Sequence, residues 1–267
     1  ASGYHYFVME YIDGCTVYDL IQDETMVAEA VAARVILQTA FALDHAHTRG
    51  FIHRDVKPKN VMLTQDDEVK LADMGLAREV SDYETAQSEA GRAYGTPYYI
   101  SPEQIRGEIN IDFRADVYSL GATFYHMVTG RVPFDGATPS AVMHKHLKEE
   151  LVPVDHINTN LSSGVGEVIE VMMAKQRDDR YPTTKDLVAD LQALVEGEAP
   201  LQARKKYDQN VLETLASGGE TVTTATAEDL DPSIARANTR GKLTILALSI
   251  LLCLSMLVIL TMWLSQI

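Results

Sequence analysis

The feature that most constrains this chain is a set of short motifs that follow one another in a fixed order. The first is the segment His53-Arg54-Asp55-Val56-Lys57-Pro58-Lys59-Asn60. Thirteen residues after its last member comes Asp73-Met74-Gly75, and farther along come Gly95-Thr96-Pro97 and Ser101-Pro102-Glu103. A His-Arg-Asp tripeptide alone arises often by chance, whereas the whole ordered set does not.

The residue types in these motifs are those that phosphoryl transfer demands, because that reaction depends on positioning and charge neutralisation more than on covalent chemistry. Asp55 offers a carboxylate that can orient an attacking hydroxyl. Asn60 and Asp73 offer hard oxygen ligands of the kind that Mg²⁺ prefers. Lys57 offers a cation that can stabilise charge on the transferred group. The motifs therefore predict a site that moves a phosphoryl group.

In their order and spacing, the motifs resemble those of the eukaryotic-type (Hanks-type) protein Ser/Thr kinases, most of all the bacterial, eukaryote-like branch. The first motif resembles the catalytic loop, and the second resembles the metal-binding Asp-Phe-Gly triplet with Met74 in place of Phe. Ser101-Pro102-Glu103 resembles the Ala-Pro-Glu triplet. The resemblance covers roughly residues 4–195. It implies an α+β, protein kinase-like fold with a mainly helical C-lobe and a largely absent N-lobe.

The resemblance implies transfer of the ATP γ-phosphate to Ser or Thr hydroxyls of protein substrates, with ATP and Mg²⁺ as cofactors. It assigns catalysis to Asp55, Lys57, Asn60 and Thr96. It assigns metal binding to Asn60 and Asp73, and contacts with ATP to Met9, Glu10, Ile12, Met62 and Asp73. It assigns structural support to His53, Arg54, Glu103, Asp116 and Arg180.

Residues 77–97 form a polar stretch that the resemblance places in the activation segment. The resemblance implies that Arg54, which precedes Asp55, pairs with a phosphorylated residue of this segment, since a phosphate can order a segment against a guanidinium. We predict autophosphorylation at Ser88 or Thr85, with a dimer as the arrangement for reaction in trans. The alternative is a merely solvated polar loop.

Charge and cysteine content narrow the function classes further. The formal net charge of −15 argues against a nucleic-acid partner, which would require a basic face. The two cysteines, Cys15 and Cys253, do not suggest a disulfide, which weakly favours a reducing compartment. Five histidines are interpreted as surface or packing residues rather than metal ligands: His45, His47, His126, His144 and His146.

The resemblance implies an N-terminally truncated kinase domain, made of the hinge and C-lobe, over residues 1–196. Apolar periodicity predicts that this region is mainly helical. Helices are predicted at 26–49, 115–129, 137–148, 163–175 and 184–196. A buried strand is predicted at 6–12, and a hairpin is predicted with strands at 61–63 and 69–71. Because the chain opens with Ala1 directly before an apolar strand, we expect its natural start to lie upstream.

The C-terminal part predicts a membrane anchor. Residues 197–242 lose periodicity and predict a disordered linker. Residues 243–264 form an apolar run of 22 residues without a charge, long enough to cross a bilayer as one helix, and 265–267 would form a short extracytoplasmic tail. Basic residues before the run, namely Arg236, Arg240 and Lys242, predict a plasma-membrane protein with a cytoplasmic kinase domain.

Two other function classes stay open at this point. A Gly-rich loop, a strand lysine and its glutamate partner cannot be placed in the sequence, so a membrane-anchored pseudokinase that only binds partners is the main alternative. For the same reason, residues 1–267 by themselves are expected to transfer phosphate poorly. A small-molecule phosphotransferase is the third class, although such enzymes usually lack the peptide platform that Gly95-Thr96-Pro97 and Ser101-Pro102-Glu103 suggest.

Overall fold

The computed structural model describes residues 8–73, 78–79 and 97–206, all within one unit, Ala1–Leu212. Several expectations from the sequence lie outside these residues. They concern Met74, Thr85, Ser88, Thr96 and the stretch 207–267.

Two small antiparallel sheets lie in the first eighty residues. Strands β1 (Gly14–Thr16), β3 (Val61–Thr64) and β4 (Val69–Leu71) form one sheet in the order β1-β3-β4. Its register pairs Thr16 with Met62, and Met62 with Lys70. The second sheet pairs β2 (Phe51–Ile52) with β5 (Arg78–Glu79). The segment between β2 and β3 carries the first sequence motif, so both of its ends are held by strands.

Helices form the largest share of the regular structure in the described residues. They are α1 (Val17–Glu24), α2 (Glu29–His47), α3 (Pro102–Ile105), α4 (Arg114–Thr129), α5 (Pro139–Lys148), α6 (Ser163–Met172) and α7 (Thr184–Glu196). Short 3₁₀ turns lie at Pro58–Asn60, Val154–His156 and Arg177–Asp179. The predicted hairpin and five predicted helices are confirmed, with ends that differ by up to three residues. Helix α1 was not predicted from the sequence, although Thr16 and Asp19 form a capping box at its start.

Helix α4 is the centre of the core. It is buried from Ala115 to Thr129, as expected for a helix whose apolar residues lie on every side. Helices α2 and α6 pack against it, and α7 packs against α2. The hydroxyls of Ser119, Thr123 and Thr129 donate to backbone carbonyls four residues earlier in α4, so these buried polar groups are satisfied.

The strand predicted at 6–12 is wrong where the structure describes it. Residues 8–13 form no strand, and Met9 is 81% exposed. An apolar, β-prone segment becomes a strand only where a neighbouring strand supplies its hydrogen bonds. Within the described residues, β3 supplies these bonds to Gly14–Thr16 instead.

The disordered linker predicted from residue 197 is also wrong over its first ten residues. Residues 201–206 are helical, and Ala203 is fully buried. The carboxylate of Asp190 in α7 accepts hydrogen bonds from the backbone amides of Gln202 and Ala203, at 3.0 and 2.6 Å. These bonds satisfy free amides at the start of a helix, which sequence periodicity does not reveal.

Of the helices in the described part of the chain, none is both long enough and apolar enough to cross a membrane. The span predicted at 243–264 lies outside the described residues and stays a prediction.

Candidate active site

The segment between β2 and β3 brings three of the predicted catalytic side chains together. The Lys57 ammonium lies 2.6 Å from a carboxylate oxygen of Asp55. The Asn60 side-chain amide donates to the same oxygen at 3.1 Å and to the Asp55 backbone carbonyl at 2.8 Å. Both members of the Lys57–Asp55 pair are partly exposed, so the pair lies near the surface rather than in the core.

Local sequence explains how Asn60 reaches back to Asp55. Pro58 starts the 3₁₀ turn Pro58–Asn60, where its missing N–H is not needed and its fixed φ suits a helical turn. The turn closes with a hydrogen bond from the Asn60 amide to the Lys57 carbonyl at 2.9 Å. Asn60 is therefore buried with a defined orientation immediately before β3.

Asp116 holds the backbone of this segment from the buried helix α4. One of its carboxylate oxygens accepts a hydrogen bond from the amide of His53 at 2.8 Å, and the other accepts one from the amide of Arg54 at 2.7 Å. A third bond, at 2.8 Å, joins it to Nε2 of His47. The Asp116 side chain is fully buried, so all three bonds are shielded from water.

Arg54 adopts a left-handed backbone conformation, with φ of 67°. This conformation is uncommon for residues other than glycine and costs about 1–2 kcal/mol. The hydrogen bonds that the amides of His53 and Arg54 donate to Asp116 stabilise it. The carboxylate thereby sets the direction in which the chain enters Asp55.

His53 is fully buried and serves as a packed, hydrogen-bonded residue. Its Nε2 lies 3.0 Å from the carbonyl of Ala72, and its Nδ1 accepts a bond from the Asp55 amide at 3.3 Å. Because a carbonyl accepts and an amide donates, these partners select the neutral tautomer with the proton on Nε2. The bond to Ala72 ties the segment to the residue before Asp73.

Asp73 lies beside this cluster. The Ala72 amide donates to the carbonyl of Asn60 at 2.8 Å, so Asp73 directly follows a residue bonded to Asn60. Asp73 is exposed and has a left-handed φ of 65°, which aspartate tolerates better than most residues. The structure thus brings Asp55, Asn60 and Asp73 to one edge of β3 and β4.

Two of the residues that the resemblance assigns to ATP, Met62 and Glu10, are placed at the three-stranded sheet. Met62 lies in the middle strand, opposite Lys70. Glu10 approaches the Lys70 ammonium at 3.9 Å, which brings the exposed segment 8–13 to the same sheet. Met9 is exposed, and Ile12 is half-buried.

Glu103 and Arg180 form a buried, bidentate ion pair. The guanidinium donates to the two carboxylate oxygens at 2.6 and 2.9 Å, and both side chains are almost fully buried. The Arg180 guanidinium also donates to the carbonyls of Ala174 and Arg114 and lies over the ring of Tyr118. These partners, with the carbonyl of Lys175 at 3.5 Å, satisfy the remaining donors of a charge that would otherwise be costly to bury.

Two functional contacts were not anticipated from the sequence. Gln104 accepts from the amide and hydroxyl of Ser101, and it donates to the Arg54 carbonyl at 2.8 Å. His47 bridges Asp116 and the hydroxyl of Thr184, where it had been interpreted as a surface or packing residue. Arg54 is 50 residues from Gln104, and the partners of His47 are even farther from it in the sequence. The one sequence signal for either contact is the Ser-x-x-Gln pattern of a capping box, which indicates that Gln104 faces the start of α3.

The sequence was compared with protein families and with individual proteins, and both comparisons indicate a kinase. A family profile described as protein kinase domain matches residues 1–191. The chain belongs to the protein kinase family. It is 40% identical over 195 residues to the serine/threonine-protein kinase PknB of Mycolicibacterium smegmatis, covering 73% of this chain and 31% of that protein.

Two further relatives point the same way. PknB of Mycobacterium tuberculosis (strain ATCC 25618 / H37Rv) is 38% identical over 195 residues, covering 73% of this chain and 31% of that protein. A probable serine/threonine-protein kinase of Clostridium perfringens is 36% identical over 227 residues, covering 85% of this chain and 30% of that protein. The chain therefore spans about a third of the length of the curated relatives it matches.

Proposed function

We propose that the protein is a serine/threonine protein kinase that transfers the γ-phosphate of ATP to Ser or Thr hydroxyls of protein substrates. The observation that carries this proposal is the convergence of Lys57 and Asn60 on one carboxylate oxygen of Asp55. The kinase family supports protein substrates and the use of ATP and a divalent metal.

Asp55 would orient the attacking hydroxyl and accept its proton. Its carboxylate is partly exposed, so a substrate hydroxyl can reach it. Lys57 is an adjacent cation, and its ammonium would neutralise charge on the transferred phosphoryl group while its stem keeps it close to Asp55. Catalysis by such a pair depends on its positioning. Two hydrogen bonds position Asp55: one from the Arg54 amide to Asp116, and one from the Asn60 side chain to the Asp55 carbonyl.

The residues present fit a magnesium–nucleotide complex. Asn60 directs its amide nitrogen to Asp55, so its carbonyl oxygen is the atom left to bind a cation, and the Asp73 carboxylate is exposed nearby. No group of three His, Cys, Asp or Glu side chains forms a metal site among the described residues. Mg²⁺ commonly binds one or two protein oxygens, nucleotide phosphates and water, so Asn60 and Asp73 would suffice. Bound Mg²⁺ would supply charge neutralisation at the phosphates.

The test of this function is phosphate transfer by the full-length protein. With labelled ATP, Mg²⁺ and peptides that differ only in Ser, Thr or Tyr, we expect labelling of Ser and Thr peptides. Asp55→Asn should lower kcat by a factor of roughly 10²–10⁴, the usual contribution of a positioned acid or base. Asp66→Asn, in the exposed turn between β3 and β4, is the matched control and should leave kcat unchanged.

Two results would contradict the proposed kinase activity. A full-length protein that binds ATP but labels no Ser or Thr peptide would contradict the proposal and favour a scaffold without catalysis. Equal activity of the wild type and Asp55→Asn would likewise refute the assigned role of Asp55.

Autophosphorylation at Ser88 or Thr85 is part of the proposal and is supported by the sequence alone. Mass spectrometry of the active protein should find phosphate between residues 78 and 95. If the reaction occurs in trans, as a dimer would permit, active protein should label an Asp55→Asn partner. Phosphate confined to other regions would contradict this part.

Membrane anchoring is the last part of the proposal. Its support is the uncharged run 243–264 with basic residues on its N-terminal side. We expect the full-length protein to fractionate with the plasma membrane, with the kinase domain in the cytoplasm. A C-terminal tag should be cleaved by external protease in intact cells, whereas a protected tag would contradict this orientation.

A further inference from the structure

Residues 200–206 form a short segment that packs against α6 and α7. Pro200 is buried beside Gly164 of α6, where an added Cβ would lie 3.0 Å from the Cδ of the proline. Ala203 is fully buried, and two backbone amides of the segment donate to the carboxylate of Asp190 in α7, at 3.0 and 2.6 Å. The start and the middle of the segment are therefore held by buried groups.

Lys206 ties the end of this segment to a different part of the fold. Its ammonium donates to the backbone carbonyls of Arg180 and Asp178, at 2.6 and 3.1 Å. These carbonyls lie where the 3₁₀ turn Arg177–Asp179 ends. Hydrogen bonds from a charged donor are stronger than those between neutral groups, and the Lys206 side chain is half-buried. The ammonium therefore fixes the backbone of that turn.

Arg180, whose carbonyl accepts the shorter of these bonds, is also the residue that holds Glu103. Its guanidinium donates to the two carboxylate oxygens of Glu103 at 2.6 and 2.9 Å, in a pair that is almost fully buried. Close-packed interiors transmit small displacements rather than absorbing them. Because the carbonyl and the guanidinium belong to one residue, a shift of the backbone at Arg180 would displace the ion pair with Glu103.

The short helix α3 carries this connection to the catalytic segment. Gln104 follows Glu103 in α3, and its side-chain amide donates to the carbonyl of Arg54 at 2.8 Å. Arg54 directly precedes Asp55. A continuous set of hydrogen bonds and adjacent residues therefore leads from the Lys206 ammonium to the residue before Asp55.

We infer that Lys206 is a positioning residue, which fixes the backbone at Arg180 and thereby holds α3 in place for the peptide substrate. Segment 200–206 touches none of the predicted catalytic residues in the described part of the chain, so Lys206 acts through Arg180 and Glu103. The consequence for the peptide rests on the proposed function. The effect on α3 itself does not depend on it.

The experiment compares three variants of the full-length protein. Lys206→Met keeps most of the apolar stem and removes the ammonium, whereas Lys206→Arg retains a charged donor. Lys205→Met is the matched control, because it makes the same change at the neighbouring, exposed lysine. Steady-state kinetics with a Ser peptide give kcat/KM for the peptide and KM for ATP. Hydrogen exchange with mass spectrometry reports on residues 101–106 and on strands β3 and β4.

We expect Lys206→Met to lower kcat/KM for the peptide by roughly three- to tenfold, the equivalent of one lost hydrogen bond. KM for ATP should stay unchanged, because the bonds that lead from Lys206 include no residue of the three-stranded sheet. Amide exchange over residues 101–106 should become faster, while exchange in β3 and β4 stays the same. Lys206→Arg should restore most of the loss, and Lys205→Met should match the wild type.

Two results would overturn the inference. One is unchanged exchange over residues 101–106 in Lys206→Met. The other is a uniform rise of exchange in residues 101–106, β3 and β4 together, which would show general destabilisation. If the wild type transfers no phosphate, the proposed function fails, and the exchange data alone still decide whether Lys206 holds α3 in place.

Discussion

Replacing Asp116 with asparagine tests how the buried helix α4 controls the catalytic segment. Asparagine has the same shape, but it has one oxygen where aspartate has two. The less costly orientation keeps the oxygen toward the amide of His53 and Nε2 of His47, and it turns an amide nitrogen toward the N–H of Arg54. Two donors then face each other in a fully buried site.

The expected loss of folding stability follows from these hydrogen bonds. A hydrogen bond to a charged acceptor contributes about 1.5–3 kcal/mol, and the two bonds that remain lose their charge assistance. We therefore expect Asp116→Asn to lower the free energy of unfolding by about 2–4 kcal/mol. At about 2–4 °C per kcal/mol for a domain of this size, Tm should fall by roughly 4–16 °C. Asp116→Ala, which loses all three bonds, should lose more.

Calorimetry of the kinase domain in the full-length protein measures the shift, with Asp66→Asn as an exposed control that should stay within about 0.5 kcal/mol. Phosphate transfer should fall as well, because Arg54 leads directly into Asp55. A Tm for Asp116→Asn within about 2 °C of the wild type would refute the reasoning, since that shift corresponds to less than about 1 kcal/mol.

Three further predictions concern the core. Glu103→Ala leaves the Arg180 charge buried without its carboxylate and should lower the free energy of unfolding by about 3–5 kcal/mol in denaturant titrations. Gly121→Ala would place a methyl carbon 2.7 Å from Cβ of Met172 and should cost about 1–3 kcal/mol in the same assay. Burial lowers the pKa of His126 from 6.5 to about 4, so the unfolded chain binds the proton first. Stability should therefore fall as pH drops from 6.5 to about 4, by at most about 1.4 kcal/mol per pH unit from this group, and His126→Gln should flatten that slope.

Each of these predictions has a matched control. Glu167→Ala removes a partly exposed pair with Arg204 and should cost less than about 1 kcal/mol. Gly166→Ala meets only Val154, at 3.6 Å, and should be neutral or stabilising. His45→Gln changes an exposed histidine and should leave the pH slope intact. Equal effects of a core variant and its control would contradict the corresponding argument.

The sequence predicted the elements and residues whose signals are local. Helices α2, α4, α5, α6 and α7 were anticipated because apolar residues recur at helical spacing. The short segment from Asp55 to Asn60 places its own side chains in contact, since a turn of a few residues has little freedom once Pro58 begins it. The order of the motifs was sufficient to indicate the family.

The tertiary structure decided everything that depends on distant partners. Asp116 reaches amides 62 and 63 residues away, and Gln104 reaches the Arg54 carbonyl 50 residues away. The exposed segment 8–13 and the ordered residues 201–206 differ from expectation for the same reason. Strand pairing, burial and capping come from neighbours that packing brings together, and such neighbours leave no periodic pattern in the residues they contact.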